Sequence, residues 1–162
     1  MSITTKRGDK GQTDLFDGTR VGKADERIVC LASIDELNSW LGIIGGLEEI
    51  QRDLFCLGAI VANPKSLENM GEHLKSLEAR TTELEGEIPA LKNFILPGGE
   101  AKACQIHLAR AVCRRAETQL AAAQNIHESC LAYLNRLSDA LFLMARSRNL
   151  QADKKEVIWK KM

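Results

Sequence analysis

The fold is decided by a run of leucines spaced at helical intervals near the end of the chain. Residues 131–144 read "LAYLNRLSDALFLM" and place apolar side chains at Leu131, Leu134, Leu137, Leu141 and Met144. Steps of three and four residues put these side chains on one face of an α-helix. The pattern predicts an amphipathic helix from about residue 127 to residue 148, with its leucine face in a core.

The same spacing recurs earlier in the chain and predicts four more helices. The first ends at Gly45-Gly46, the second ends before Asn63-Pro64, and the third has Ser66 as its expected N-cap. The predicted helices cover residues 23–44, 47–61, 67–84 and 100–124. Five amphipathic helices with short connections and no strand pattern predict an all-α, five-helix up-and-down bundle.

The 162 residues suggest a single domain with three parts. An irregular N-terminal arm covers residues 1–22, the helical bundle covers 23–148, and a tail covers 149–162. A second, mixed stripe on the first helix suggests either an oligomer or a helix with two neighbours in the chain; it comprises Ile28, Leu31, Asp35 and Asn38. On the fourth helix we expect five residues to face inward: Cys104, Leu108, Ala111, Val112 and Gln119.

The composition excludes several classes of function. Lysine plus arginine and aspartate plus glutamate are both 22, and aromatic residues make up only 4% of the chain, so we expect neither a nucleic-acid nor a membrane partner. No leader and no apolar run of about 18 residues occurs. The five cysteines are odd in number and form no C-x-x-C pair, which favours reduced thiols in a cytoplasmic protein.

No tight metal site is expected in the bundle. Di-iron bundles need a Glu-x-x-His pair on each of two helices, and none of His73, His107 and His127 has a glutamate three residues before it. The cysteine and histidine spacings fit no zinc pattern either. We interpret the histidines as surface or network residues.

The stretch "RAVCRRAE", residues 110–117, is the first candidate for chemistry. Together with His107, it places Arg110, Arg114 and Glu117 on one helix face, whereas Arg115 points about 100° away. One interpretation is a solvated face with an Arg114–Glu117 ion pair. The other is a phosphate-binding stripe, because the guanidinium group binds phosphate oxygens in pairs.

The arm supplies a second basic element, "TTKRGDKGQT" at residues 4–13. Gly8 and Gly11 allow backbone N–H groups to approach an anion, and Asp9 could fix the turn or hold a metal through water. The basic residues of the arm are Lys6, Arg7, Lys10, Arg20 and Lys23, and Thr5 and Thr13 add hydroxyls. The segment is not a Walker A loop and could be a flexible terminus. Taken with the arginine stripe, it suggests a polyphosphate site between arm and bundle.

Five motifs occur in the order of one known family: "TKRGDKGQT", "SIDELNSWLG", "FILPGG", "HLARAVCRRAE" and "YLNRLSD". From about residue 4 to residue 146, the chain resembles the PduO-type ATP:cob(I)alamin adenosyltransferases. The resemblance implies a homotrimer with active sites at subunit interfaces. It also implies transfer of the adenosyl group of ATP to the Co(I) of cob(I)alamin, with release of triphosphate.

The resemblance assigns a role to each motif residue. Arg114 and Arg115, with Lys6, Arg7 and Lys23, would neutralise the triphosphate beside Mg²⁺. Glu117 and Asn135 would orient the nucleotide. The phosphates would be cradled by arm residues Thr5, Gly8, Asp9, Gly11 and Thr13.

The corrinoid side is implied in the same way. Phe94 would replace the lower base of the corrinoid, and Trp159 would lie over the corrin. Arg110 would pair with Asp35 across a subunit boundary, which completes a catalytic set with Arg114. Without the resemblance, Phe94 could be plain core and Asp35 an exposed acid.

Two positions depart from the family pattern, since Thr118 and Glu100 stand where relatives often have a basic residue and a serine. Both lower the local positive charge and predict weaker ATP binding. A reductase and a cobalamin-dependent enzyme are further partners that the activity implies. The alternative function is a non-catalytic bundle that binds a nucleotide or corrinoid as a sensor or chaperone.

Overall fold

The described part of the chain contains five helices, as predicted. The computed structural model describes residues 4–63, 69–123 and 126–161. The helices are α1 Glu26–Ile44, α2 Glu48–Ala62, α3 Gly71–Glu87, α4 Ala101–Ala122 and α5 Glu128–Gln151. The up-and-down bundle is therefore confirmed.

The core lies around α4 and α5. Helix α5 packs against α4 and α3, while α1 packs against α4 and α2. The leucine stripe of α5 is buried as predicted at Leu134, Leu137, Leu141 and Met144, whereas Leu131 is exposed. Tyr133, one of the largest fully buried side chains, donates to Asp53 Oδ2 of α2 at 2.8 Å.

The second stripe of α1 packs within the chain. Asn38 is buried, and it makes two hydrogen bonds with Gln51 of α2. Asn38 Nδ2 donates to the Gln51 backbone O at 3.4 Å, and Gln51 Nε2 donates to the Asn38 backbone O at 3.0 Å. Leu31 lies opposite Gly58 of α2. Of the two interpretations, a helix with two neighbours accounts for Leu31 and Asn38, while Asp35 stays exposed.

The inward face of α4 differs from the prediction. Cys104, Leu108 and Ala111 are exposed, Gln119 is half-buried, and only Val112 of the five is buried. Because α4 lies between α1 and α5, two faces are buried, and small residues allow the close approach. The buried residues are Ala103, Ile106, His107, Ala109, Val112, Cys113, Ala116 and Leu120.

Several boundaries also shift. Helix α1 begins at Glu26 rather than residue 23 because the Asp25 carboxylate accepts the Arg27 N–H and caps the helix. Helix α3 begins at Gly71, later than predicted; Ser66, its expected cap, lies outside the described residues. Helix α5 continues three residues beyond residue 148, to Gln151.

The arm is not wholly irregular, because it contains a small hairpin. Strands β1 Gln12–Asp14 and β2 Arg20–Gly22 pair antiparallel, with Thr13 opposite Val21. The turn is closed by bonds from Leu15 N to Thr19 O and from Thr19 N to Asp17 Oδ1. Strands of three residues are too short to show as an alternating pattern.

The tail pairs with the segment between α3 and α4. Leu96 N donates to Val157 O and Trp159 N donates to Phe94 O, both at 2.8 Å, and Ile95 bridges Ile158. We refer to residues 94–96 and 157–159 as the ribbon. Because Phe94 and Ile95 are consecutive in an extended strand, their side chains point to opposite faces.

The described helices include none with the length and apolarity needed to cross a membrane. All five cysteines lie in described segments and none forms a disulfide, as predicted. Burial raises the pKa of Cys30 and Cys130 to about 11, so these thiols are packed and protonated.

Candidate functional site

The glycine loop of the arm is held in a defined turn. Lys6 and Gly11 both have positive φ, 56° and 75°, and Gly11 N donates to Gly8 O at 3.2 Å. Lys23 N donates to Gly11 O, and the Lys23 ammonium lies 3.3 Å from the position that a Cβ on Gly8 would occupy. Lys23 is thereby placed against the loop, which brings a cation to the backbone N–H groups.

The two arginines of the arm, Arg7 and Arg20, are bonded to the hairpin. Asp14 pairs with Arg7 at 2.9 Å and with Arg20 at 3.0 Å, and Arg20 also donates to Arg7 O at 2.7 Å. Asp14 was not singled out in the sequence, because its pairing depends on the strand register. Lys6, Thr5 and Asp9 are exposed beside this framework.

The stripe on α4 lies along α5 and runs from a buried end to an exposed end. His107 is 7% exposed, and its ring centroid is 6.1 Å from that of Phe142 on α5. The Arg110 guanidinium lies over the same ring at 5.2 Å, a cation–π contact. Burial lowers the pKa of both groups, and each also faces a positive neighbour, Arg110 for His107 and Arg114 for Arg110.

At the other end of the stripe, Asn135 Nδ2 of α5 donates to Glu117 Oε1 at 2.9 Å. These are the two residues expected to orient a nucleotide, and the structure brings them into contact. The Arg114–Glu117 ion pair of the alternative interpretation is not formed in the described part of the chain. Arg114 is exposed, whereas Arg115 pairs with Glu36 of α1.

Among the described residues, no polar contact joins the basic side chains of the arm to the stripe. In residues 4–63, 69–123 and 126–161, no hydrogen bond or ion pair joins the side chains of Lys6, Arg7 or Lys23 to α4. Asp35 and Arg110 form no ion pair with each other either. The polyphosphate site between arm and bundle stays a prediction, because cations that bind one anion need not bond to each other.

Phe94 is exposed, so its interpretation as core is wrong. The ring is 78% exposed and meets the half-exposed Trp159 edge to face, with centroids 6.4 Å apart and planes at 85°. The pair forms an apolar platform on one face of the ribbon. Leu96 and Val157, both also exposed, extend it.

Two cavities adjoin the Phe94 loop. One of about 440 Å³ is lined by Phe142, Leu143 and Asp139 of α5 and by Leu91 of the loop. The other, of about 490 Å³, is lined by loop and tail residues including Ile95 and Ile158. Phe142 contacts the arginine stripe and lines a cavity. It was missed in the sequence because "ALFLM" reads as uniform core.

The two departures from the family pattern have structural roles. The Glu100 carboxylate accepts Ala103 N–H and caps α4, and backbone hydrogen bonds, that of Lys102 foremost, lower its pKa. The Thr118 hydroxyl donates to Arg114 O one turn back along α4. Neither contact reaches the glycine loop.

The fold and the site define a helical bundle that presents a basic glycine loop and, near two cavities lined by both charged and apolar residues, an exposed aromatic pair. A family model described as cobalamin adenosyltransferase matches residues 3–148. The chain belongs to this family.

Individual relatives agree over nearly the whole chain. A cobalamin adenosyltransferase of Cupriavidus metallidurans is 39% identical, with 98% of this chain and 94% of the relative covered. A corrinoid adenosyltransferase of Bacillus subtilis is 41% identical, with 94% and 89% covered. A variant PduO-type ATP:corrinoid adenosyltransferase from Lactobacillus reuteri, solved with cobalamin and ATP, superposes with a TM-score of 0.92 at 33% identity, over 99% of this chain and 97% of that one.

Proposed function

We propose that the protein transfers the 5′-deoxyadenosyl group of ATP to the cobalt of cob(I)alamin or a related corrinoid. The observation that carries this function is the Phe94–Trp159 platform, a large apolar surface exposed beside two cavities. Such a surface fits a flat, apolar ligand such as a corrin. Family membership favours catalysis over the alternative of a non-catalytic sensor or chaperone.

In the reaction, Co(I) donates its electron pair to C5′ of ATP. The Co–C bond forms, the C5′–O bond breaks, and triphosphate leaves with the bonding electrons, so that cobalt is formally oxidised to Co(III). The charge that develops on the leaving oxygen is the part of the transition state that the protein can stabilise.

The chain supplies cations for this charge from two elements. Arg114 is exposed on α4 and without an ion pair in the described segments, and Lys6 is exposed at the glycine loop. Arg7 and Arg115 are held by Asp14 and Glu36, which fixes their direction. Glu117 offers hydrogen-bond acceptors and Asn135 offers both a donor and an acceptor. The pair therefore suits a group that also carries donors and acceptors, such as the ribose or the base.

Mg²⁺ is expected to arrive on the ATP phosphates. In the described ranges, no three acidic, histidine or cysteine side chains are clustered so as to hold a metal ion. Asp9, exposed in the loop, suits contact through water. When bound, Mg²⁺ would neutralise part of the triphosphate charge.

The working site is proposed to form between copies in a homotrimer. Asp35 and Arg110 have no ionic partner within one copy, in the residues that the structure describes. Helices α1 and α4 also expose Val29, Ile43 and Leu108 on neighbouring faces that the Arg115–Glu36 pair joins. An apolar face with unpaired charges of both signs suits a second copy of the chain.

Phe94 is proposed to cover the lower face of the corrin. An apolar ring there excludes both water and the lower base from cobalt. Four-coordinate Co(II) is easier to reduce than a five-coordinate form, so a reductase partner could then deliver the electron. The product would pass to a cobalamin-dependent enzyme, and cysteines that form no disulfide support a cytoplasmic location.

The test is an assay with protein, ATP, Mg²⁺ and chemically reduced cobalamin. The corrinoid absorbance should change from Co(I) to the alkylcobalt form, with one triphosphate released per adenosyl group. Binding of both ligands without this change would support the sensor or chaperone alternative instead.

A further inference from the structure

The loop that carries Phe94 is fastened to α5 by a buried amide. Asn149 is 2% exposed; its Oδ1 accepts the Glu100 N–H at 3.0 Å, and its Nδ2 donates to Gly98 O at 2.8 Å. Gly99 has φ 119°, and a Cβ there would collide with the Asn149 amide. The loop therefore closes directly onto this side chain.

The other end of the loop and the tail are fastened one turn earlier on α5. Arg146 is 7% exposed; its Nε donates to Glu156 Oε1 at 2.7 Å, and its Nη2 donates to Pro89 O at 2.8 Å. The tail is also held at Lys154, whose N–H donates to Asn149 O at 2.8 Å. A buried guanidinium with these partners has a well-defined position.

These anchors matter because the ribbon has little support of its own. It has only short backbone pairing, and its apolar residues Phe94, Leu96 and Trp159 are exposed. A two-stranded ribbon with exposed apolar side chains is marginally stable in water. The segment that carries Phe94 is thus held by α5 on both sides of that residue, at Pro89 and at Gly98.

We propose that Asn149 and Arg146 are positioning residues that hold Phe94 and Trp159 in place before the corrinoid binds. This inference rests on the proposed function of Phe94. Neither side chain belongs to the arm or to the α4 stripe, so ATP binding should not depend on them.

The test compares Asn149→Ala with Gln151→Ala. Gln151 is also an amide at the end of α5, but among the described residues its side chain hydrogen-bonds to Ser147 and Arg148 of the same helix and not to the loop. In Asn149→Ala, the rate that starts from Co(II) with a flavin reductant should fall about 10- to 100-fold, the scale expected for a misplaced reacting group. The rate from chemically prepared Co(I) and the KM for ATP should stay near the values of Gln151→Ala, and the four-coordinate Co(II) spectrum should weaken.

A second variant keeps the inference falsifiable if Asn149→Ala does not fold. Glu156→Gln weakens the Arg146 anchor without changing side-chain size. Like Asn149→Ala, it should slow the reaction that starts from Co(II) more than the reaction that starts from Co(I). In a Trp40→Phe background, the Trp159 emission of either anchor variant should also shift to the red.

Equal loss of the Co(II) and Co(I) routes in folded variants, or an unchanged four-coordinate spectrum, would overturn the inference. A wild-type protein that does not adenosylate Co(I) would instead contradict the proposed function. The two failures are therefore distinguishable.

Discussion

At the scale of single residues, the arginines of "CRRAE" differ in how they are engaged. Arg115 is paired with Glu36 of α1, whereas Arg114 is exposed and has no ion pair in the parts of the chain that the structure describes. The sequence showed that the two point in different directions. It could not show which one had a partner, because Glu36 lies on another helix.

Arg114→Ala should leave the bundle folded and lower turnover by about 100- to 1,000-fold, the usual effect of removing one donor from a developing anion. Steady-state adenosylation from Co(I) measures it. Arg52→Ala is the matched control, since Arg52 is an exposed arginine on α2. Wild-type-like turnover in folded Arg114→Ala would exclude the role.

His107 is a buried residue whose protonation is less favourable in the folded protein than in the unfolded chain. Neither ring nitrogen has a hydrogen-bond partner among the described residues, and burial and Arg110 lower its pKa, with Glu156 opposing. In the unfolded chain a histidine titrates near pH 6.5. As the pH falls below that value, the unfolded state therefore takes up a proton before the folded state does.

The stability of the wild type should consequently fall as the pH drops from about 7.5 to about 5.5. His107→Gln should show a smaller fall, because it removes the proton uptake. Urea denaturation of both proteins at the two pH values measures the difference. An equal loss in the variant would assign the pH dependence to other groups.

At the scale of elements, the spacing of apolar residues was sufficient to predict the five helices but not to predict which residues they bury against each other. The α5 stripe was predicted almost completely because one face of α5 is a continuous leucine row. The inward face of α4 was predicted wrongly because alanine at 103, 109 and 116 gives a weak apolar signal although all three are buried. The hairpin was missed because its strands are short.

The ribbon could not be derived from local pattern. Its strands, residues 94–96 and 157–159, lie far apart in the chain, and neither shows an alternating pattern. The resemblance nevertheless placed Phe94 and Trp159 in one function. Their edge-to-face contact supports that grouping, while their roles remain predictions.

Phe94→Ala is the direct test of the platform. It should leave ATP binding nearly intact and strongly slow reactions that start from Co(II), because a four-coordinate state must form first. Reactions from Co(I), which needs no lower ligand, should slow much less. The spectrum of bound Co(II) measures the four-coordinate fraction, and equal loss of both routes would contradict the platform.

At the scale of the whole molecule, the active site is proposed to lie between copies of the chain. Asp35 and Arg110 are consistent with this proposal, because neither has an ionic partner in the described part of its own chain. Which surfaces meet between copies cannot be derived from one sequence by periodicity. The homotrimer was predicted from the family resemblance alone.

Asp35→Ala and Arg110→Ala should each weaken subunit association, and the double variant should lose less than the sum of the two. Sedimentation over a range of protein concentrations measures the association. Purely additive losses would show that the two residues do not interact across the boundary. The Arg110 contact with Phe142 makes Phe142→Leu a useful check on effects within the chain.

The most direct test of the account is complementation between two inactive variants. Lys6→Ala removes a cation of the arm, and Arg114→Ala removes the cation of α4. If each site joins the arm of one copy to the stripe of its neighbour, co-refolding equal amounts should restore about a quarter of the wild-type adenosylation rate, since a quarter of random interfaces carry both intact residues. No restored activity, in mixed oligomers verified by mass, would contradict a site shared between copies.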